Sequence, residues 1–303
     1  MLAMDRPVET LQARWAAPPS RFIPMDGMQV HVRDEGPSGD AEPIVLIHGT
    51  GSSLHTWDAW SAALKPAHRV IRLDRPGFGL TGPNPGGDYT MSYYADFMRR
   101  FLDGMGVERA TLAGNSSGGR VAWEVAARNP DRVARLVLLA SSGYPRTTPL
   151  PLGLRIAQSP FLNPLLSKIL PRAAVGKGVR GTYGDPSKVT EELIDRNYEI
   201  MLRTGNRKAL GATLSQADAV DDSALIRTIH AATLILWGTR DTVVQPADAQ
   251  RFHADIAGSN LVMLPGIGHL AQEEDPEGTL AALRHFLSGT RSAPTRAGFL
   301  QKS

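Results

Sequence analysis

Apolar residues cluster in short runs separated by turn residues, and the runs alternate between two periods. Continuous apolar stretches at 43–47, 69–73, 110–113, 133–140, 232–237 and 260–264 read as strands buried on both faces of a parallel sheet. Between them the spacing turns helical: at 57–64, at 90–105 with Tyr94, Phe97, Met98, Phe101 and Leu102 on one face, at 121–128, at 247–256 and at 277–287. Asn129-Pro130 stops the third of these helices. Repeated strand and helix alternation predicts an α/β fold with a doubly wound, mostly parallel sheet. Ahead of it, runs at 21–25 and 28–33 flank Asp26-Gly27, a dipeptide suited to a two-residue hairpin turn.

The rhythm breaks from Tyr144 to about Ser223, where proline-punctuated apolar segments show no strand pattern. Some eighty residues is too long for a plain loop, so a helical insertion over the carboxyl edge of the sheet is expected. The resulting division is an N-terminal extension 1–20, a core of 21–144 and 223–288, a helical cap 145–222 and a flexible Ser/Thr/Arg-rich tail 289–303. Within the extension, 9–17 reads as a short amphipathic helix stopped by Pro18-Pro19, with a packing role. No internal repeat is visible.

Charge and composition narrow the function. The formal net charge is only +3 and the arginines are scattered, so nothing resembles a nucleic-acid-binding stripe. With no cysteine in the chain, disulfides, a thiol nucleophile and thiolate metal sites are excluded. The N-terminus lacks the basic start and apolar run of a signal peptide, and no stretch approaches the ~20 apolar residues of a membrane span. A cytoplasmic protein without stable membrane insertion is expected. His31, His68, His230, His253 and His285 show no ligand spacing, so neither a metal nor a cofactor is expected, and a homo-oligomer is left open.

The stretch 111–123 carries the chemistry. An apolar run ends at Gly114, and Gly114-Asn115-Ser116-Ser117-Gly118 fits the G-x-S-x-G pattern of a strand-to-helix elbow with a serine at its apex. A Cβ at Gly114 or Gly118 would clash where strand and helix crowd together. A serine nucleophile needs a base, and the base an orienting acid. Asp241 directly follows one predicted strand and His269 another, so the order along the chain is Ser, Asp, His. Taken alone, Asp241 could equally serve a turn or a helix start. The backbone N–H groups of Ser117 and of Thr50, in His48-Gly49-Thr50-Gly51, are the expected donors to an oxyanion. Glu273, Glu274 and Asp275 read as solvated residues entering the last helix, and the other histidines as lying away from the carboxyl edge.

With these motifs in place, together with Asp74-Arg75-Pro76-Gly77-Phe78-Gly79, the chain resembles the α/β-hydrolase family over roughly 21–287. The resemblance implies a serine hydrolase with a helical cap, acting on small to medium hydrophobic carboxylic esters through an acyl-enzyme. Ser116 differs from the aspartate of haloalkane dehalogenases and epoxide hydrolases. Asn115 is similar to the carbon–carbon hydrolases of aromatic ring-fission products, the alternative reading. Those enzymes usually carry a Pro-Gly pair where this chain has Ser52-Ser53, and an aromatic residue where it has Leu270. Perhydrolases and ligand-binding receptors on the same fold are further alternatives. Leu54, Val243, Val244 and Leu270 beside the catalytic loops, and Leu150, Leu152, Leu154, Phe161 and Leu165 in the cap, are the substrate-binding candidates.

Overall fold

The computed structural model describes residues 4–146, 149, 152–159, 170–216 and 220–289. The hairpin forms as β1 (Arg21–Met25) and β2 (Met28–Glu35), and its turn residues Asp26 and Gly27 both take positive φ, 50° and 75°. That is the two-residue geometry that matches strand twist. The buried runs become β3 (Ile44–Ile47), β4 (Val70–Leu73), β5 (Ala110–Asn115), β6 (Val133–Leu139), β7 (Ala232–Gly238) and β8 (Asn260–Leu264). They form one eight-stranded sheet in the order β1-β2-β4-β3-β5-β6-β7-β8, antiparallel through β2 and β4 and parallel from β4 to β8.

Because successive strand residues face opposite sides, the central parallel strands feed two cores. Helices α1 (Val8–Trp15) and α2 (Asp58–Leu64) are followed by α3 (Met91–Gly104) and α4 (Ser117–Arg128), and Val45, Ile47, Leu112, Leu136, Leu138 and Trp237 pack with the last two in a cluster that includes Tyr94, Phe97 and Trp123. Ile44, Leu46, Ala113, Val137, Leu139 and Leu236 pack on the other side against Trp57, Trp60, Leu280, Leu283 and Phe286. Trp60 Nε1 donates to Thr279 Oγ1 at 3.0 Å, joining the two helices of that face. Thr90 caps α3 by accepting from the Tyr93 N–H, which is why that helix starts where it does.

Between β6 and β7 the described residues contain helices and no strand: Leu152–Gln158, Arg172–Arg180, Glu191–Met201 and Asn206–Gln216. Asn206–Gln216 carries little regular apolar spacing in the sequence. The short helix of the extension, Val8–Trp15, docks here. Leu11 and Trp15 bury against Leu80 and Ile200, and Trp15 Nε1 and Arg14 Nη1 both donate to the Glu199 carboxylate, at 2.8 and 2.9 Å. The extension thus packs on the helical segment, and among the described residues no helix is long and apolar enough to cross a membrane.

Candidate active site

Ser116 stands between β5 and α4 with φ 56° and ψ −123°, a region that non-glycine residues rarely enter. Such a conformation costs on the order of 1–3 kcal/mol and persists only where the surroundings enforce it. Here they do. The Ser116 N–H donates to Leu139 O at 3.0 Å, and Ser116 O accepts from the N–H groups of Arg120 and Ser142, both at 3.1 Å. A Cβ on Gly114 would lie 2.3 Å from Gly118 O, and one on Gly118 would lie 2.3 Å from Ile47 O. Both glycines have the steric purpose that the sequence suggests.

Asp241 and His269 follow β7 and β8, at the same sheet edge, and are nearly fully buried. His269 Nδ1–H donates to Asp241 Oδ2 at 2.8 Å, because a carboxylate can only accept. The bond orients the ring and leaves Nε2 free of Asp241. The other aspartate oxygen accepts from the N–H groups of Val243 and Val244, at 2.7 and 3.0 Å. Asp241 is therefore both the turn-forming residue and the imidazole's partner, one oxygen for each. Ser116 Oγ has no hydrogen-bond partner among the described residues, but Ser116 and His269 line one cavity. Bonds of this kind are often open before substrate arrives.

The Thr50 N–H donates to no acceptor among the described residues, and the Ser117 N–H, at the first position of α4, points out of its helix. Both residues line the cavity beside Ser116. The loop that carries Thr50 is held by His48. Its Nε2 accepts the Arg75 N–H at 3.0 Å and its Nδ1–H donates to Gly49 O at 2.8 Å. Burial, with the Arg75 charge nearby, pushes the His48 imidazole down to about 3, so it stays neutral.

The cavity encloses about 900 Å³ and lies between the sheet edge and the helical segment. Val243, Val244 and Leu270 line it, as do Leu152 and Leu154. Leu210 and Leu214 line it as well, from a helix whose weak apolar spacing hid them. Phe161 and Leu165 lie outside the described residues, as does Leu150. Leu54 is a correction: it is fully buried in a short helical turn and absent from the lining, and its N–H is drawn inward to Asp74 Oδ1 at 2.7 Å.

Glu273 and Glu274 are not solvated. Glu274 is 4% exposed and its carboxylate accepts three main-chain N–H groups: Gly268 and Gly184 on Oε2 at 2.8 and 2.9 Å, Asp185 on Oε1 at 2.8 Å. It clamps the histidine loop to the helical segment, and the His269 N–H adds a 2.7 Å bond to Thr182 O. Glu273 accepts from Tyr183 Oη and Arg196 Nη2. Asp275 instead caps the last helix, Pro276–Leu287, through the Gly278 N–H. His31, expected away from the carboxyl edge, is paired with Asp74 just beyond β4, because the antiparallel β2 brings Val32 opposite Leu73. Nothing local in the sequence marks these partners, which are far apart along the chain.

Asn115 is fully buried behind the nucleophile. Its Nδ2 donates to Leu139 O and to His269 O, both at 3.1 Å, tying the serine strand to the histidine loop. Among the described residues no cluster of three His, Asp or Glu side chains is placed to hold a metal ion.

The sequence matches the model of the alpha/beta hydrolase family over residues 44–283. A 2-hydroxy-6-oxononadienedioate/2-hydroxy-6-oxononatrienedioate hydrolase from a Pseudomonas species is 30% identical over 274 residues, covering 86% of this chain and 92% of that protein. Among solved structures, a meta-cleavage product hydrolase from Pseudomonas fluorescens IP01 superposes with a TM-score of 0.76 at 26% identity, covering 90% of this chain and 98% of the other. A hydrolase from Pseudomonas aeruginosa gives 0.75 at 28% identity, over 89% and 99%. The matched span contains Thr50, Ser116, Ser117, Asp241 and His269, and the chain belongs to the alpha/beta hydrolase family.

Proposed function

We propose that this chain is a serine hydrolase that cleaves small to medium hydrophobic carboxylic esters through an acyl-enzyme on Ser116. The observation that carries the reading is the strained Ser116 held at the wall of a cavity that also exposes His269 and the residues bearing two unengaged N–H groups, Thr50 and Ser117. Ser116 Oγ attacks the ester carbonyl while His269 Nε2 takes its proton, and Asp241 stabilises the imidazolium through the 2.8 Å bond to Nδ1. The N–H groups of Thr50 and Ser117 receive the oxyanion, each worth on the order of 3–4 kcal/mol to the transition state. Collapse expels the alcohol, which takes the proton from His269. Water, activated by the same imidazole, then releases the acid. The helical segment acts as a cap, and Leu152, Leu154, Leu210 and Leu214 supply an apolar acyl pocket.

Carbon–carbon hydrolysis of a ring-fission dienoate is the second reading. It is favoured by Asn115, by the hydrogen bond it makes to the histidine loop, and by what the relatives above act on. The two readings share the nucleophile and differ in the bond broken. A panel of p-nitrophenyl esters of graded acyl length, run beside a ring-fission dienoate whose chromophore bleaches on cleavage, separates them. Turnover of esters by the wild type and its loss in Ser116→Ala, with an unchanged circular dichroism spectrum, is the expected result. Retained ester turnover in that variant would refute the nucleophile assignment.

A further inference from the structure

Arg75 follows Asp74 just beyond β4 and is fully buried. Among the described residues no carboxylate lies within ion-pairing distance of it. Its guanidinium sits against the rings of Tyr94 and Phe78, 5.0 and 5.1 Å from their centres. Nη2 donates to Ser117 Oγ at 2.8 Å, while Nε and Nη1 have no acceptor. Three residues earlier, Arg72 shows the ordinary solution for a buried arginine: it is almost as deeply buried, and it pairs with Glu35 at 2.7 Å and with Asp58. Withdrawing a cation from water without a counter-charge is costly, and each unsatisfied buried donor adds to that cost. Burial lowers the Arg75 pKa from its ordinary value, yet a guanidinium keeps its proton in proteins.

The contact with Ser117 points to a use for this cost. Ser117 Oγ, having accepted from Arg75, lies 2.8 Å from Thr50 Oγ1 and can donate to it. A line of hydrogen bonds therefore runs from an uncompensated positive charge through the side chains of the two cavity-lining residues whose main-chain N–H groups are assigned to the oxyanion. We propose that Arg75 is a positioning residue that holds Ser117 and Thr50 in register and places a fixed positive charge behind the oxyanion hole. This rests on the assignment of those two N–H groups to the oxyanion. An ester carbonyl in the ground state is neutral and gains little from the buried charge, whereas the tetrahedral intermediate carries a full negative charge on that oxygen. The effect belongs to kcat, with KM nearly unmoved.

Arg75→Met and Arg75→Lys, assayed with p-nitrophenyl butyrate, test this. Arg75→Met is expected to lower kcat about 10- to 100-fold while KM changes less than about threefold, and to weaken inhibition by an alkylboronic acid, whose serine adduct is anionic, by a similar factor. Its thermal midpoint should hold or rise, because the variant removes an unpaired buried charge. Arg75→Lys should recover a substantial part of kcat. A structural role predicts the opposite: a lowered midpoint, and normal kcat per folded molecule. Should Arg75→Met fail to fold, Ser117→Ala decides, since it removes the Oγ link and keeps the main-chain N–H. A loss in kcat of about threefold or more supports the proposal, and an unchanged kcat overturns it. A wild type inert to both ester and boronic acid would refute the hydrolase reading itself. An active wild type whose Arg75→Met variant keeps its kcat and boronate affinity would overturn only the role of Arg75.

Discussion

Ser20, His31 and Asp74 form one serine–histidine–aspartate chain, and Ser116, His269 and Asp241 bring together the same residue types elsewhere. The first is fully hydrogen-bonded: Ser20 Oγ lies 2.9 Å from His31 Nε2, and His31 Nδ1 lies 2.7 Å from Asp74 Oδ2. In the second only the histidine–aspartate half is closed. Judged by hydrogen bonds alone, Ser20 would be chosen over Ser116, the proposed nucleophile. Ser20, however, lacks a strained backbone, and its Oγ is also engaged by Arg33 Nε at 2.9 Å. His31 is fully buried and stacks on Phe22, leaving no room for a substrate. Asp74 accepts the Leu54 and Leu80 N–H groups, both at 2.7 Å, and joins two loops to the hairpin. A Cβ on Gly79 would lie 2.0 Å from its carboxyl carbon, so the chain closes tightly around the carboxylate. The Ser20 chain is a structural clamp. At Ser116 the hydroxyl is left unpaired among the described residues and lines a cavity, which is what the proposed catalysis requires.

The sharpest way to break the comparison is to remove each serine. Ser116→Ala should lower kcat for a p-nitrophenyl ester by about 10⁴-fold or more, while Ser20→Ala leaves it within about twofold. Next come the aspartates. Asp241→Asn, which favours the wrong imidazole tautomer, should cost about 10³–10⁴ in kcat with the urea midpoint little changed. Asp74→Asn should do the reverse: it should lose about 2–5 kcal/mol of unfolding free energy in urea titrations, with kcat per folded molecule nearly retained.

Acid sharpens the same contrast more gently. Burial alone would raise the Asp74 pKa, but His31 beside it, together with His48 and His55, outweighs burial and holds the carboxyl well below its ordinary value of 3.8. A group depressed on folding contributes stability that is present above its unfolded pKa and is lost as pH falls toward the folded one. Wild-type stability should therefore fall more steeply than that of Asp74→Asn between about pH 5 and 2, as followed by urea midpoints. Parallel curves would deny Asp74 its role as a clamp.

The parts legible in the sequence share one physical origin: local pattern. β3 to β8 are apolar runs, and Gly114 and Gly118 announce a turn too tight for a side chain. Ser116, Asp241 and His269 each follow a strand, and a parallel sheet brings all such positions to one edge. What stayed hidden depends on contacts between distant segments. Glu274 looks like one charge in an acidic cluster until Gly184 and Asp185 arrive from ninety residues away. Leu54 sits beside the loop that carries Thr50, yet faces the core, because Asp74 claims its N–H. Arg75 is one arginine among many until its burial beside Ser117 is seen. Burial of charge is a property of the folded molecule, and local pattern does not encode it.

Mapping a fluorophosphonate adduct by mass spectrometry identifies the nucleophile directly, since an activated serine attacks the phosphorus, expels fluoride and is left phosphonylated. One stoichiometric adduct is expected, on Ser116, and it is absent from Ser116→Ala. An adduct on Ser20, or none on an intact wild type, would contradict the assignment of Ser116 as nucleophile.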